Sequence, residues 1–184
     1  MDNHDAIVIG TGQSGPALAR RLVAAGQKVA VIERKLFGGT CVNTGCTPTK
    51  ALVASAYTAY LARRASDYGV TIGGPIAVDM RAVKARKDAI VAPSRRGVER
   101  SLRNLEGCTV YEGHARFLAA KRVAVNGSVL DADHLAVDTH IDALLSEEPG
   151  HGMGDVFILA RNQAWRQLDH RHLAPEAAIH LREF

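Results

Sequence analysis

Two of the three cysteines in this 184-residue chain, Cys41 and Cys46, fall within residues 38–50, GGTCVNTGCTPTK. Their spacing bears on redox chemistry. In one regular helix, Cα atoms five residues apart would stand roughly 8.7 Å from each other. That exceeds the roughly 7 Å limit for a disulfide. A bridge therefore needs the backbone to leave helical geometry between the two, and Gly45 is the residue best able to do so. Thr47 is expected to cap a helix that has Pro48 at its first position. Cys46 would then lie beside a positive helix end, where a thiolate is favoured, with Lys50 as the nearby cation. A pair so placed suits thiol–disulfide exchange, one sulfur attacking and the other resolving. Two ordinary thiols are the alternative.

The elements that must position this pair begin at the N-terminus. Residues 6–10 form a short β-branched run typical of a strand buried on both faces. It leads into Gly10-Thr11-Gly12-Gln13-Ser14-Gly15. Residues 16–25 follow with helical apolar spacing at Leu18, Leu22 and Val23, and residues 28–32 make a second buried strand closed by Glu33. Strand, glycine turn, helix, strand and acidic end are together the signature of a dinucleotide site. Gly10 makes the tight turn, Gly12 lets a diphosphate approach the backbone, and Gly15 lets the helix pack on the strand. The helix N-terminus, with Ser14, receives the phosphate charge. Glu33 is placed to accept hydrogen bonds from ribose hydroxyls.

A dinucleotide site followed so closely by a cysteine pair favours FAD over NAD, because a flavin can pass two electrons to a disulfide. On GTGQSG with Glu33 and on GGTCVNTGCTPTK, the sequence resembles the FAD-dependent pyridine nucleotide–disulfide oxidoreductases, in the style of mercuric reductase or dihydrolipoamide dehydrogenase. The resemblance implies an α/β fold: a Rossmann-like FAD-binding domain with a parallel sheet, flanking helices and a small antiparallel β-meander. It implies that Cys41 is the interchange thiol facing substrate and that Cys46 lies beside the flavin. Lys50 would stand near the flavin N5 and Thr40 near the diphosphate. Arg34 and Gly39 join the cofactor site, the backbone around Gly113, His114 and Ala115 lies along the adenine, and Thr139 closes the site. Electrons would come from NADH or NADPH and leave to a disulfide or a metal-ion substrate, in a homodimer.

Elsewhere the chain reads more simply. Residues 51–65 continue the helix, with Tyr57, Tyr60 and Tyr68 expected in packing roles, and residues 69–75 break it. Asp79 is expected to cap a long basic helix over residues 79–104, kinked or split at Pro93. Short strands are expected at 109–111, 115–118, 122–125 and 128–130, with a tight hairpin at Asn126-Gly127, and a returning strand at 134–139. Cys108 is expected to be a buried strand residue.

Composition sets bounds. With 47% apolar and 23% charged residues the chain resembles an ordinary globular protein. A formal charge of +4 with dispersed basic residues gives little support to nucleic-acid binding. The N-terminus lacks the pattern of a signal peptide, so a reducing cytoplasm is the expected setting.

The resemblance covers residues 1–139. Residues 140–184 hold five of the eight histidines and no lysine, and four basic against seven acidic side chains give −3. Residues 1–139 carry nineteen basic against twelve acidic, or +7. No second glycine-turn unit follows, so residues 140–184 are expected to be a divergent tail from truncation or frameshift, without NAD(P)H-binding or dimerisation domains. A strand at 155–160 is expected within it. His170, His172 and His180 are read as exposed rather than metal-binding. Three functions stay open: a disulfide oxidoreductase, a non-enzymatic nucleotide-binding or thiol-redox module, and an inactive remnant.

Overall fold

A computed structural model of the chain describes residues 2–138 and the backbone of Val156–Ile158. Three buried runs make the centre of one sheet. Strand β1 (Asp2–Ile9) pairs in parallel with β2 (Val29–Glu33), and helix α1 (Gly15–Ala24) makes the crossover between them. Strand β3 (Cys108–Glu112) adds in parallel to β2, and β6 (Ser128–Val137) adds in parallel to β1 on its other side. Hairpin strands β4 (Arg116–Ala119) and β5 (Arg122–Val125) extend the sheet antiparallel from β6, giving the order β3-β2-β1-β6-β5-β4. β7 (Val156–Ile158) runs parallel to the last three residues of β6. The expected α/β architecture, parallel sheet and small meander are all present.

Alternation along the central strands divides the core in two. Ile7, Ile9, Ala30, Ile32, Leu135 and Val137 meet Val123, Val125 and Leu130 of the meander on one face. Val8, Val29, Val31 and Ala136 pack on the other face with Leu18 and Ala19 of α1, Phe37, and Leu102. Burial on both faces explains why β1 and β2 read as continuous apolar runs rather than alternating ones.

Four expectations are corrected. Helix α3 (Cys46–Arg63) starts two residues earlier than the Thr47 cap implied, with Gly45 as the flanking residue. Pro93 does not split α4 (Met80–Arg103), which runs through it as one helix. Pro93 and Ala89, whose carbonyl loses its i+4 partner, are both exposed, so water can satisfy that carbonyl. Tyr57, Tyr60 and Tyr68 are exposed rather than packed, although Tyr57 and Tyr60 stack on each other. The two segments at 128–130 and 134–139 are one strand, β6. Its early residues take β5 on the edge where its last residues take β7, while β1 holds the opposite edge throughout.

Other features follow the sequence. The Asp79 carboxylate accepts from the N–H groups of Arg81 and Ala82, at 2.8 and 3.2 Å. Asn126 and Gly127 both take positive φ (46° and 81°), the conformation of a tight two-residue hairpin. Cys108 lies in β3 as expected but is half-buried rather than buried. Among the described residues no helix is long and apolar enough to cross a membrane.

Candidate flavin and disulfide site

The site is built where β1 ends. Gly10, with φ of 102°, donates its N–H to the Ile32 carbonyl at 2.7 Å and turns the chain toward α1. Gly15 opens the helix so close beneath this turn that an added Cβ would stand 2.2 Å from the Gly10 carbonyl oxygen. Helix α1 can seat under β1 only with glycine at that position.

Glu33 is buried at the end of β2 and organises the loop from below. Its Oε2 accepts from the Thr11 N–H at 3.0 Å and from the Thr11 hydroxyl at 2.6 Å, while Oε1 accepts from the Lys35 N–H at 2.9 Å. Three of the roughly four acceptor positions of a carboxylate are thus filled by protein. The Glu33 carbonyl accepts the Gly113 N–H at 2.8 Å, which brings the segment holding His114 and Ala115 alongside. His114 is exposed, its Nδ1 2.8 Å from the Ala115 carbonyl, and Ala115 is buried. Arg34 is exposed just beyond Glu33.

The cysteine segment is fastened directly onto this turn. The Gly38 N–H donates to the Thr11 carbonyl at 2.9 Å, with the Thr11 hydroxyl at 3.2 Å. Gly39, with φ of 57°, lies so near the turn that an added Cβ would stand 2.9 Å from the Gly12 Cα. The Asn43 side-chain amide donates to the Phe37 and Gly39 carbonyls, both at 2.9 Å, and holds the loop against the short helix α2 (Gly39–Asn43). Cys41 and exposed Thr40 lie on α2.

The chain leaves helical geometry at Thr44 and Gly45, between the two cysteines, as a bridge between them would require. Gly45 approaches α2 closely: an added Cβ would meet the Thr40 carbonyl oxygen at 3.0 Å. Cys46 is the first residue of the 18-residue α3, which places its thiol within the positive end of the helix dipole. Cys46 is exposed and Cys41 half-buried. Lys50 is exposed one turn further along α3, on the face Cys46 shares. Arg86 of α4 braces this helix by donating to the Ala51 carbonyl at 2.8 Å.

One residue at the site was not foreseen. Asp138, the residue after β6, lies with its carboxylate against the glycine turn, where Oδ2 accepts from the Gly15 N–H at 2.5 Å and the Ser14 N–H at 3.2 Å. Burial pushes this carboxyl up to about 6, further raised by the Glu33 charge and opposed by the backbone N–H groups of Gly15, Ser14 and Gly12. The missed signal was topological: β6 neighbours β1, so its end abuts the glycine turn. Thr139, the remaining expected site residue, lies outside the described residues, as do His170, His172 and His180.

Comparison with known proteins decides the family. A model of pyridine nucleotide-disulphide oxidoreductases matches residues 4–167. The chain belongs to this family. Among its relatives, the dihydrolipoyl dehydrogenase of Acholeplasma laidlawii is 32% identical over 147 residues, covering 80% of this chain and 44% of the relative. The mercuric reductase of Lysinibacillus sphaericus is 32% identical over 150 residues, covering 81% of this chain and 27% of the relative. In a solved structure, the Cu(II) complex of the HOCl-induced flavoprotein disulfide reductase RclA from Escherichia coli matches 82% of this chain and 31% of its own, with a TM-score of 0.64 and 27% identity. The chain therefore spans less than half the length of these relatives.

The pyridine nucleotide-disulphide oxidoreductases are flavoproteins that typically bind FAD, and the residues here fit that group. The backbone N–H groups at the start of α1 already hold a carboxylate oxygen, so they are competent anion donors. The close approaches at Gly15 and Gly39 leave a loop bare of side chains at both positions.

Proposed function

We propose that the chain is the FAD-binding, cysteine-bearing part of an FAD-dependent disulfide oxidoreductase. In the whole protein NAD(P)H would be the electron source, FAD the relay, and a Cys41–Cys46 disulfide the acceptor that serves a disulfide or metal-ion substrate. The observation that carries this reading is the fastening of the cysteine segment onto the glycine turn, through Gly38 on Thr11 and Gly39 on Gly12. It ties the redox pair to the dinucleotide loop without an intervening element.

Bound FAD would supply the two-electron store between nicotinamide and sulfur. The remaining chemistry belongs to this chain. The N–H groups of Ser14 and Gly15 and the α1 dipole hold the diphosphate, with Gly12, Gly39 and Thr40 bordering it. Glu33 fixes the turn through Thr11 and keeps one acceptor position for a ribose hydroxyl, while Arg34 stands beside it and the backbone at Gly113, His114 and Ala115 borders the adenine. Thr139 is assigned to the same site.

Cys46, at the first position of α3 with Lys50 one turn on, would be the sulfur beside the flavin, where the helix end favours its thiolate form. Cys41 faces substrate. In the reduced pair the Cys41 thiolate attacks a substrate disulfide, forming a mixed disulfide and expelling one substrate thiolate. The Cys46 thiolate then attacks the Cys41 sulfur, closing the Cys41–Cys46 bond and expelling the second. Two electrons leave the pair and the substrate takes up two protons as its thiolates protonate.

The FAD-binding and cysteine-bearing unit is assigned to residues 1–139, and the family match runs on to residue 167. The setting is a reducing cytoplasm. Reconstitution of the purified full chain with FAD, followed by desalting, tests the reading. Retained yellow flavin supports it. A colourless protein that binds ADP points to a nucleotide-binding module, and one that binds neither points to an inactive remnant.

A further inference from the structure

The carboxylate of Asp138 stands where the proposed diphosphate must bind. Helix α1 offers few unshared donors at its start, and two of them, the N–H groups of Ser14 and Gly15, converge on Asp138 Oδ2. The carboxylate is wedged into the turn itself: a Cβ added at Gly12 would stand 3.1 Å from Oδ2, and one at Gly15 2.9 Å. A diphosphate cannot take these donors while the carboxylate holds them. Two anions at one helix end also repel each other in a partly buried site.

The main chain at Asp138 is held independently, its N–H donating to the Ile9 carbonyl at 2.7 Å. Only the side chain therefore needs to move. We propose that Asp138 is a built-in competitor for the FAD diphosphate, so that loading of the cofactor requires this carboxylate to be displaced from the α1 N-terminus or to take up a proton. The proposal rests on the flavin-site reading above.

The surroundings set how the competition varies with pH. Among the described residues the charged side chain facing Asp138 is Glu33 at the end of β2; β1, the glycine turn and the start of α1 present backbone groups, namely the Ile9 carbonyl and the N–H groups of Gly12, Ser14 and Gly15. Glu33 disfavours the ionised carboxylate and the N–H groups favour it, and with burial the carboxyl titrates near pH 6. A protonated Asp138 holds the donors weakly and carries no charge against the incoming diphosphate. Acidification toward pH 6 should therefore open the site.

The test is FAD binding by the full chain, followed by flavin fluorescence between pH 5.5 and 8, for the wild type, Asp138→Asn and Asp138→Ala. If Asp138 must take up a proton to admit the diphosphate, wild-type affinity falls by up to tenfold per pH unit above pH 6, or up to about 30-fold by pH 7.5. If the ionised carboxylate is instead expelled into water, wild-type affinity stays below that of the variants but is flat above pH 6. Both variants should bind FAD more tightly than the wild type at pH 7.5 and show a flat profile. The amide signals of Ser14 and Gly15 should titrate near pH 6 in the FAD-free wild type and not in Asp138→Asn. Equal affinity and equal pH profiles in all three proteins would overturn the competition while leaving the flavin site standing. Failure of all three to bind FAD at every pH would overturn both.

Discussion

Replacing Asp138 by Asn should change the pH dependence of folding stability even without any ligand. The Asp138 carboxyl stands at about 6 in the folded chain, against an ordinary value of 3.8. At about 1.4 kcal/mol for each tenfold change in proton affinity, the gap amounts to about 3 kcal/mol. The sign follows from proton counting. Between pH 4 and pH 6 the folded chain holds a proton on Asp138 that the unfolded chain has released, so stability falls as pH rises. The Asp138 contribution is fully present below about pH 4, declines through pH 6, and is then constant. Asn carries no charge at any of these pH values and keeps an oxygen for the Ser14 and Gly15 N–H groups. Urea unfolding of both proteins from pH 4 to pH 8 reads the effect as a difference curve, which cancels the other titrating groups. Asp138→Asn should gain about 3 kcal/mol relative to the wild type between pH 4 and pH 7. Parallel curves with a constant offset would refute the burial argument, and a gain in the opposite direction would mean that the backbone N–H groups outweigh burial.

Further expectations concern the frame around this contact. Gly39→Ala places a Cβ 2.9 Å from the Gly12 Cα at a φ of 57°, so it should destabilise the chain by about 1 kcal/mol or more and weaken FAD retention, read by denaturation and flavin titration. Leu102→Ala empties a fully buried position in the core beneath α4 and should cost about 2–5 kcal/mol. Leu118→Ala, at a side chain 57% exposed, should stay within about 0.5 kcal/mol. Burial raises the Cys108 thiol above its ordinary range, so after reduction at pH 7 iodoacetamide should label Cys46 well before Cys108, as peptide mass mapping would reveal.

Much of the site was legible because its chemistry is written in local sequence. The glycine turn needs Gly10 for its positive φ and Gly15 for close approach, and the buried runs on either side fix the strands that hold it. Asp79 and Asn126-Gly127 likewise act within a few residues of themselves. What could not be read depends on distant neighbours. Pro93 looks like a break until its exposure on α4 is known, because water can replace the lost hydrogen bond. Tyr57 and Tyr60 look like core residues until α3 is seen to present them outward. The start of α3 moved to Cys46 because Gly45 must pass close to Thr40, a contact that cap chemistry alone does not reveal. Asp138 is an ordinary strand-end residue in sequence, and acquires its place only through the β1–β6 register that sets Ile9 beside Val137.

The central claim is that Cys46, at the head of α3, is the sulfur beside the flavin and that Cys41 faces substrate. The most direct measurement is the absorbance spectrum of the FAD-reconstituted full chain after reduction of the cysteines with dithiothreitol, for the wild type, Cys41→Ser and Cys46→Ser. A long-wavelength band should appear in the wild type and in Cys41→Ser, where a Cys46 thiolate can lie against the flavin, and vanish in Cys46→Ser. A band that survives in Cys46→Ser and is lost in Cys41→Ser would contradict the assignment, and no band in any flavin-loaded form would contradict the redox site itself.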